Sequence, residues 1–463
     1  MKPIGNDRAR RHRDSRQLNP AADRLLAQAG QKFSAGALDE ARALAEQVLE
    51  RHPDHADALN MVGAILGEMG DAYGAAAVLQ RAVAAAPRAA NLHANLSLAL
   101  QFTHRPQEAA AEAREAVRLD PRNATGYDRL CMALRDLGDA SGAEAAGREA
   151  VGLAPGLPFA GVNFANALID SGKMAEAEKA FGEASRLAPF APEVWAEMGP
   201  FYLKQSRYDE ALQVLRRALE LRRSTEWWPV SGSVSRTAPS PTPQMTNTIK
   251  LRHDVDQLKY LAARGRLPAG AERLVPAYER ALAHFLQQHG PTANAPFTLG
   301  QWAEIGMAYN RVVVWNPPDR IEGGALGSFD RAQASERYAV PPGVIHVDDF
   351  LKSDAVAALR RFCLESTIWN DIQHNFQDKP VARGYLGAYV NDGFVAPLLL
   401  QIADELIHAL PSIFKHHRLI QLWAYKYEDR LEGIPMHGDA AAVNVNFWIT
   451  PDAANLDKEN GGL

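Results

Sequence analysis

Residues 121–188 read PRNATGYDRLCMALRDLGDASGAEAAGREAVGLA and then PGLPFAGVNFANALIDSGKMAEAEKAFGEASRLA, two lines of 34 residues each. Set one over the other, Pro121 stands over Pro155, Cys131 over Ala165, Gly138 over Gly172, Ala143 over Ala177 and Ala150 over Ala184. The period runs outward in both directions, with prolines at 53, 87, 121, 155 and 189. Each unit is counted from two or three residues past its proline. The twentieth position is then Ala41, Ala75, Ala109, Ala143, Ala177 and Ala211, and the twenty-seventh is Val48, Ala82, Ala116, Ala150, Ala184 and Ala218. The eighth is always small: Ala29, Gly63, Ser97, Cys131, Ala165, Gly199.

A pair of antiparallel helices per unit accounts for this pattern. Small residues at fixed positions let two backbones approach closely, while Leu59, Leu96, Leu130, Phe164 and Tyr202 are placed to fill the space between units. Met69-Gly70-Asp71, Leu137-Gly138-Asp139 and Ser171-Gly172-Lys173 read as turns between paired helices, and the proline closes each unit. A 34-residue helical period of this composition resembles the tetratricopeptide repeat. It extends over residues 20–223 as six units. One unit cannot bury its apolar face alone, so stacking into a curved, all-α solenoid with a concave groove is expected. The resemblance implies a groove for an extended peptide. Asn95 and Asn163, at the sixth position of their units, would then line it and bond a peptide backbone; otherwise they are ordinary exposed helix residues. His52 and His55, at a unit junction, read as surface residues.

Outside the repeats, residues 1–19 carry RARRHRDSR (8–16) and read as a disordered basic tail, or as a small patch for an anionic surface. Residues 224–246, rich in Ser, Thr and Pro, read as a linker, with Trp227 and Trp228 expected to cap the solenoid or touch the next domain. A helical bridge is expected over 247–340, with helices at 254–264 and 269–288, a strand at 311–315 and a glycine-rich loop at 321–327. That loop's EGGALG lacks the strand–glycine–helix order of a phosphate-binding turn. Residues 341–463 then read as an α+β domain. Strands are expected at 344–347, 387–390, 419–427 and 443–449. Helices are expected at 354–364, capped by Ser353, and from Pro397 to about residue 410.

The stretch 419–439, LIQLWAYKYEDRLEGIPMHGD, ends in His437-Gly438-Asp439. On extended chain, residues two apart point the same way, so an imidazole and a carboxylate face one point. Such a pair, with one more histidine, makes the facial triad that holds Fe(II) and leaves positions open. The bland alternative is a turn with two locally bonded polar residues. Strand, tyrosine ten residues before the histidine, His-x-Asp, strand and Gly461-Gly462-Leu463 together resemble the Fe(II)/2-oxoglutarate-dependent oxygenases of the prolyl-hydroxylase-like branch, over roughly residues 344–463.

That resemblance implies a double-stranded β-helix, or jelly-roll, core. It implies Fe(II) on His437 and Asp439, 2-oxoglutarate contacted by Tyr427, and O2 as co-substrate for hydroxylation of a C–H bond. Asn444, Asn446 and Trp448 share one face of the next expected strand, which is either a pocket wall or a solvent face. In the family a second histidine and a basic residue for the distal carboxylate lie beyond the Gly-Gly, so the resemblance implies a domain incomplete within these 463 residues.

The expected fold is therefore multidomain: a repeat solenoid, then a truncated jelly-roll domain. Two functions are open to such a chain. One is a dioxygenase acting on a protein substrate recruited by the repeats; the other is an interaction scaffold with an inert oxygenase-like domain. A net charge of −5 gives no reason to expect nucleic acid. Two cysteines, Cys131 and Cys363, make no disulfide framework, and no apolar run of membrane-spanning length occurs. A cytoplasmic protein with protein or peptide partners, away from membranes, is the expectation.

Overall fold

The computed structural model describes residues 20–224, 243–372, 385–427 and 441–451. The chain divides into two compact units, Met1–Ala188 and Pro189–Leu463.

The first unit is all helix among its described residues. Five pairs succeed one another: α1 (Pro20–Ser34) with α2 (Leu38–Arg51), α3 (Ala56–Glu68) with α4 (Ala72–Ala85), α5 (Ala90–Phe102) with α6 (Pro106–Leu119), α7 (Ala124–Asp136) with α8 (Ala140–Leu153), and α9 (Pro158–Asp170) with α10 (Met174–Leu187). Each pair also packs on the next, and one buried core runs through the first four pairs, from Ala29 to Ala133. The turn within each pair needs a residue in the left-handed region, where a Cβ meets the following carbonyl. Gly36, Gly70, Gly138 and Gly172 supply it at φ between 73° and 83°, and His104 takes the same place in the third pair at φ 56°. Asp71 and Asp139 then cap the second helices by accepting from the Gly74 and Gly142 amides at 2.8 and 2.9 Å.

The recurring alanines sit where the helices cross. Ala41, Ala109, Ala143 and Ala177 at the twentieth position are 0% exposed. A second relation, not visible in one position at a time, links the eighth residue of a pair to the one sixteen further on. Where the eighth is Gly63, its partner is Leu79; where it is Cys131, the partner is Gly147, whose missing Cβ would stand 3.1 Å from the Cys131 sulfur. The two side chains share one fixed volume. Ser97, the only hydroxyl at the eighth position, donates to the Ala109 carbonyl at 2.8 Å and so enters the core satisfied. Leu130 and Phe164, expected between units, are only half buried.

The second unit opens with a sixth pair, α11 (Pro192–Lys204) and α12 (Tyr208–Arg223), whose turn residue is Ser206 at φ 58°. The last turn of α12 is built into the rest of this unit. Leu219 packs in one core with Ile249, Val312, Phe362, Ile368 and Trp369. A second core gathers α13 (Thr248–Ala263), α14 (Leu274–His289) and α15 (Leu299–Ile305) around Phe285, Trp302 and Tyr309. A two-stranded antiparallel sheet, β1 (Met245–Asn247) with β2 (Asn294–Pro296), ties the ends of that segment together. Beyond it come α16 (Arg331–Tyr338), α17 (Ser353–Glu365), α18 (Pro397–Ala409), α19 (Pro411–Phe414) and a three-stranded antiparallel sheet. This sheet is ordered β3 (Asp371–Ile372), β4 (Tyr385–Tyr389), β5 (Trp423–Tyr427), with Leu386 opposite Lys426.

Several expected elements take another form. Among the described residues the strands make these two small sheets and no jelly roll. Residues 311–315 are not a strand, because their amides go to separate partners: Val312 to the Arg223 carbonyl, Val313 and Val314 to the Thr367 hydroxyl. Residues 344–347 pair with no strand among the described residues, and Val344 is 80% exposed. Residues 443–449 are irregular too, held at one end by Arg360 donating to the Ile449 carbonyl at 2.8 Å. Ser353 is the first residue of α17, not its cap; Lys352 holds that position and makes no side-chain cap. The 321–327 loop is a loop, pinned by Glu405, whose carboxylate accepts from the Ala325 and Leu326 amides at 2.9–3.0 Å. Trp227 and Trp228 lie outside the described residues.

The shared volume at the crossings is testable. A Cβ at Gly63 would stand 2.6 Å from Leu79 Cγ, and Leu79 is itself buried. Gly63→Ala should therefore cost about 1–3 kcal/mol, the usual penalty of overpacking. Adding Leu79→Ala should cost less in that background than in the wild-type chain. Urea unfolding of the four proteins measures the coupling.

Candidate functional site

Two places in the chain combine polar chemistry with fixed geometry. The first lies on the leading helices of the repeats. The Asn95 side-chain amide on α5 donates to Asn60 Oδ1 on α3 at 2.8 Å. The Asn163 amide on α9 repeats the contact with Asp128 Oδ1 on α7, also at 2.8 Å. In both cases the partner lies 35 residues back, on the preceding pair. Both asparagines are half buried, so neither is an ordinary exposed helix residue. Asp128, buried itself, also receives Arg129 at 3.0 Å. The result is a polar rail along neighbouring leading helices, with each amide oriented by the pair before it.

The helix pairing, the turn residues and the 34-residue phase agree with the family comparison. The family model described as tetratricopeptide repeat matches residues 26–90, 94–158 and 162–224. Residues 26–224 are tetratricopeptide repeats. Solved structures similar to this chain include a thermophilic tetratricopeptide repeat protein of Thermus thermophilus, at 22% identity and a TM-score of 0.35, covering 42% of this chain and 100% of that one. PilF of Pseudomonas aeruginosa is similar at 16% identity and a TM-score of 0.37, covering 44% of this chain and 93% of that one. A protein named MamA is similar at 21% identity and a TM-score of 0.31, covering 37% and 94%. No curated protein matches the chain.

His437, Asp439 and Gly461-Gly462-Leu463 lie outside the described residues. Tyr427 is the last residue of β5, opposite Tyr385 of β4. Asn444, Asn446 and Trp448 are exposed in the irregular segment and share no strand face. Their segment is not a neighbour of β5 in the sheet.

The second place was not singled out from sequence. On α13, Lys250, Asp254 and Gln257 fall at intervals of four and three, hence on one face, between the buried Leu251, Val255 and Leu258. A polar stripe inside an apolar face was the legible signal. Lys250 bonds Asp254, and Asp254 Oδ1 meets His253 Nδ1 at 3.1 Å. His253 Nε2 in turn meets Lys426 Nζ of β5 at 3.0 Å, and that ammonium stands 4.3 Å from the centroid of the Trp369 ring. The geometry sets the tautomer. Nδ1–H donates to the carboxylate, which leaves Nε2 to accept from lysine.

Charge in this network is held against burial. Burial pushes the His253 imidazole down to about 4, helped by Lys426, so it is neutral near pH 7. Burial also pushes the Lys426 ammonium down to about 7 and lowers Lys250, with Asp254 opposing. The Asp254 carboxyl is raised by burial, but Lys250 and His253 outweigh this and hold it below the usual range. Arg223, the last residue of α12, is buried beside them and pushed down to about 10 by burial. It donates to the carbonyls of Asn310, Ile368 and Asp392.

His253 gives the pH test. The unfolded chain takes up this proton near 6.5, the folded one only near 4. Stability from this group is thus complete above 6.5 and falls as pH drops through 4. His253→Gln should flatten the acid limb of a stability-against-pH curve measured by urea unfolding. An unchanged limb would show that His253 is not the group responsible.

Proposed function

We propose that this chain is a protein-interaction scaffold that binds an extended peptide segment along its tetratricopeptide repeats. The observation that carries the reading is the polar rail: Asn95 and Asn163, each fixed by a hydrogen bond to the preceding leading helix at 2.8 Å. A side-chain amide has two donors and an acceptor with two lone pairs, and the rail contact uses one donor. The remainder can pair with a peptide's N–H and C=O groups, which need partners when they leave water. Pre-orientation lowers the ordering cost of binding. The repeat interiors are filled with alanine, so recognition falls to surface residues such as these.

Double substitution Asn95→Ala and Asn163→Ala tests this. Full-length wild-type and doubly substituted proteins serve as baits in lysate from the native source, with helicity checked by circular dichroism. Specific partners are expected on the wild-type bait and a loss of most of them, roughly tenfold or more in occupancy for two lost hydrogen bonds, on the variant. Equal retention by both would overturn the rail as the binding element.

A second reading concerns the C-terminal stretch. We propose that it belongs to an iron- and 2-oxoglutarate-dependent oxygenase domain, with His437 and Asp439 as Fe(II) ligands and Tyr427 toward the co-substrate. What supports it is that Trp423–Tyr427 forms a strand, paired antiparallel with Tyr385–Tyr389, so that the tyrosine stands at a strand end as the motif requires. Bound Fe(II) would supply O2 activation coupled to 2-oxoglutarate decarboxylation. The native full-length protein with Fe(II) should then form succinate from 2-oxoglutarate, and Asp439→Ala should abolish it. Succinate at the level of a protein-free blank would remove this reading and leave the scaffold intact.

A further inference from the structure

The asparagine rail takes up only the middle of its helix face. Phe102 falls about two helical turns after Asn95, at the end of α5, and so lies on the same face. The residues that end α3, α7 and α9 at the same place in their units are all acids: Glu68, Asp136 and Asp170. A carboxylate there meets the partial negative charge of the last helix carbonyls, an unfavourable placement that a nearby cation reverses.

For one of the three acids the chain supplies that cation. Arg135 of α7 donates to Asp170 Oδ2 at 2.7 Å, across the same 35-residue step as the Asn60–Asn95 and Asp128–Asn163 bonds. Each leading helix thus turns one side chain toward the acid of the next. The other two acids receive nothing comparable. The same step back from Asp136 is Gln101, a neutral amide that donates to the Arg129 carbonyl at 3.2 Å and whose own Oε1 has no partner. The same step back from Glu68 is Phe33. Both acids are exposed, and among the described residues neither makes an ion pair. Arg129, which stands on this face at the place of Asn95 and Asn163, is already engaged by Asp128 at 3.0 Å. The charge left over on the face is therefore negative.

An apolar feature lies between the two open acids. Phe102, on the helix between those of Glu68 and Asp136, is 64% exposed. Neighbouring leading helices pack on one another, as α5 does on α7 and α7 on α9. Packed helices lie about 8–10 Å apart, roughly three residues of extended chain. A partner that matches acid, ring and acid in turn is cationic, apolar and cationic at that spacing.

Resting on the peptide reading of the rail, we propose that the segment bound there is basic: an extended peptide whose Lys or Arg side chains flank an apolar one, seated on Glu68, Phe102 and Asp136. Its cations take, opposite Glu68 and Asp136, the part that Arg135 plays opposite Asp170.

Selection of short random peptides displayed on phage, against the immobilised full-length protein, tests this. Enriched sequences should carry Lys or Arg beside an apolar residue. Their synthetic forms, titrated by fluorescence anisotropy, should bind the double variant Glu68→Gln, Asp136→Asn about tenfold more weakly, as loss of two exposed charge pairs does. The same variant should lose most of the salt dependence of binding, whereas Phe102→Ala should weaken binding and keep it. All three positions are exposed, so the fold is unaffected, which circular dichroism checks. Enrichment of acidic or uncharged peptides would overturn the basic assignment and leave the peptide reading standing. Basic peptides that bind wild type and double variant alike would overturn it too, since their charges would be read elsewhere. A selection that enriches nothing would remove the peptide reading itself and this proposal with it.

Discussion

The second unit depends on where one guanidinium goes. Arg223 is the last residue of a repeat helix, and it is buried in the body beyond that helix. It bonds three carbonyls from segments far apart in the chain, at 310, 368 and 392. Bonds from a charged donor are worth roughly 1.5–3 kcal/mol each, so losing the side chain would release all three segments together. The same burial draws Lys250, Asp254 and His253 into one network with Lys426 of the sheet. Helix α13 therefore acts as the strut on which both the repeat end and the C-terminal strands are fixed.

The first unit is governed by a different constraint, the volume available where two helices cross. Alanine at the twentieth position and alanine or valine at the twenty-seventh hold the backbones at short range. At the eighth position and its partner sixteen residues on, glycine trades against leucine, and cysteine against glycine. This is close packing expressed as a sum over two positions rather than a preference at each. It leaves the interior with little to vary.

Legibility tracked the range of the interactions. The repeats were readable because each pair bonds mainly to itself and its neighbours, so a 34-residue period carries their geometry. The strands expected at 311–315 and 443–449 were misread because alternation records only which side chains could face a core. Whether amides find a ladder depends on chain brought in from elsewhere. At 313 and 314 the partner was a single threonine hydroxyl. The buried charges stand as a polar stripe on α13, which in sequence is indistinguishable from the solvent face of an amphipathic helix.

Sequence by itself determined that residues 26–224 form tetratricopeptide repeats, where their turns fall, and which residues are too buried to be anything but small. Each of those is a local matter of helix geometry and steric volume. Only tertiary structure decided that Asn95 and Asn163 are held by the preceding pair, and that the Arg223 side chain bonds carbonyls far away in the sequence. Those outcomes turn on desolvated charge and hydrogen bonding between segments remote in sequence. No periodicity records which remote groups will meet.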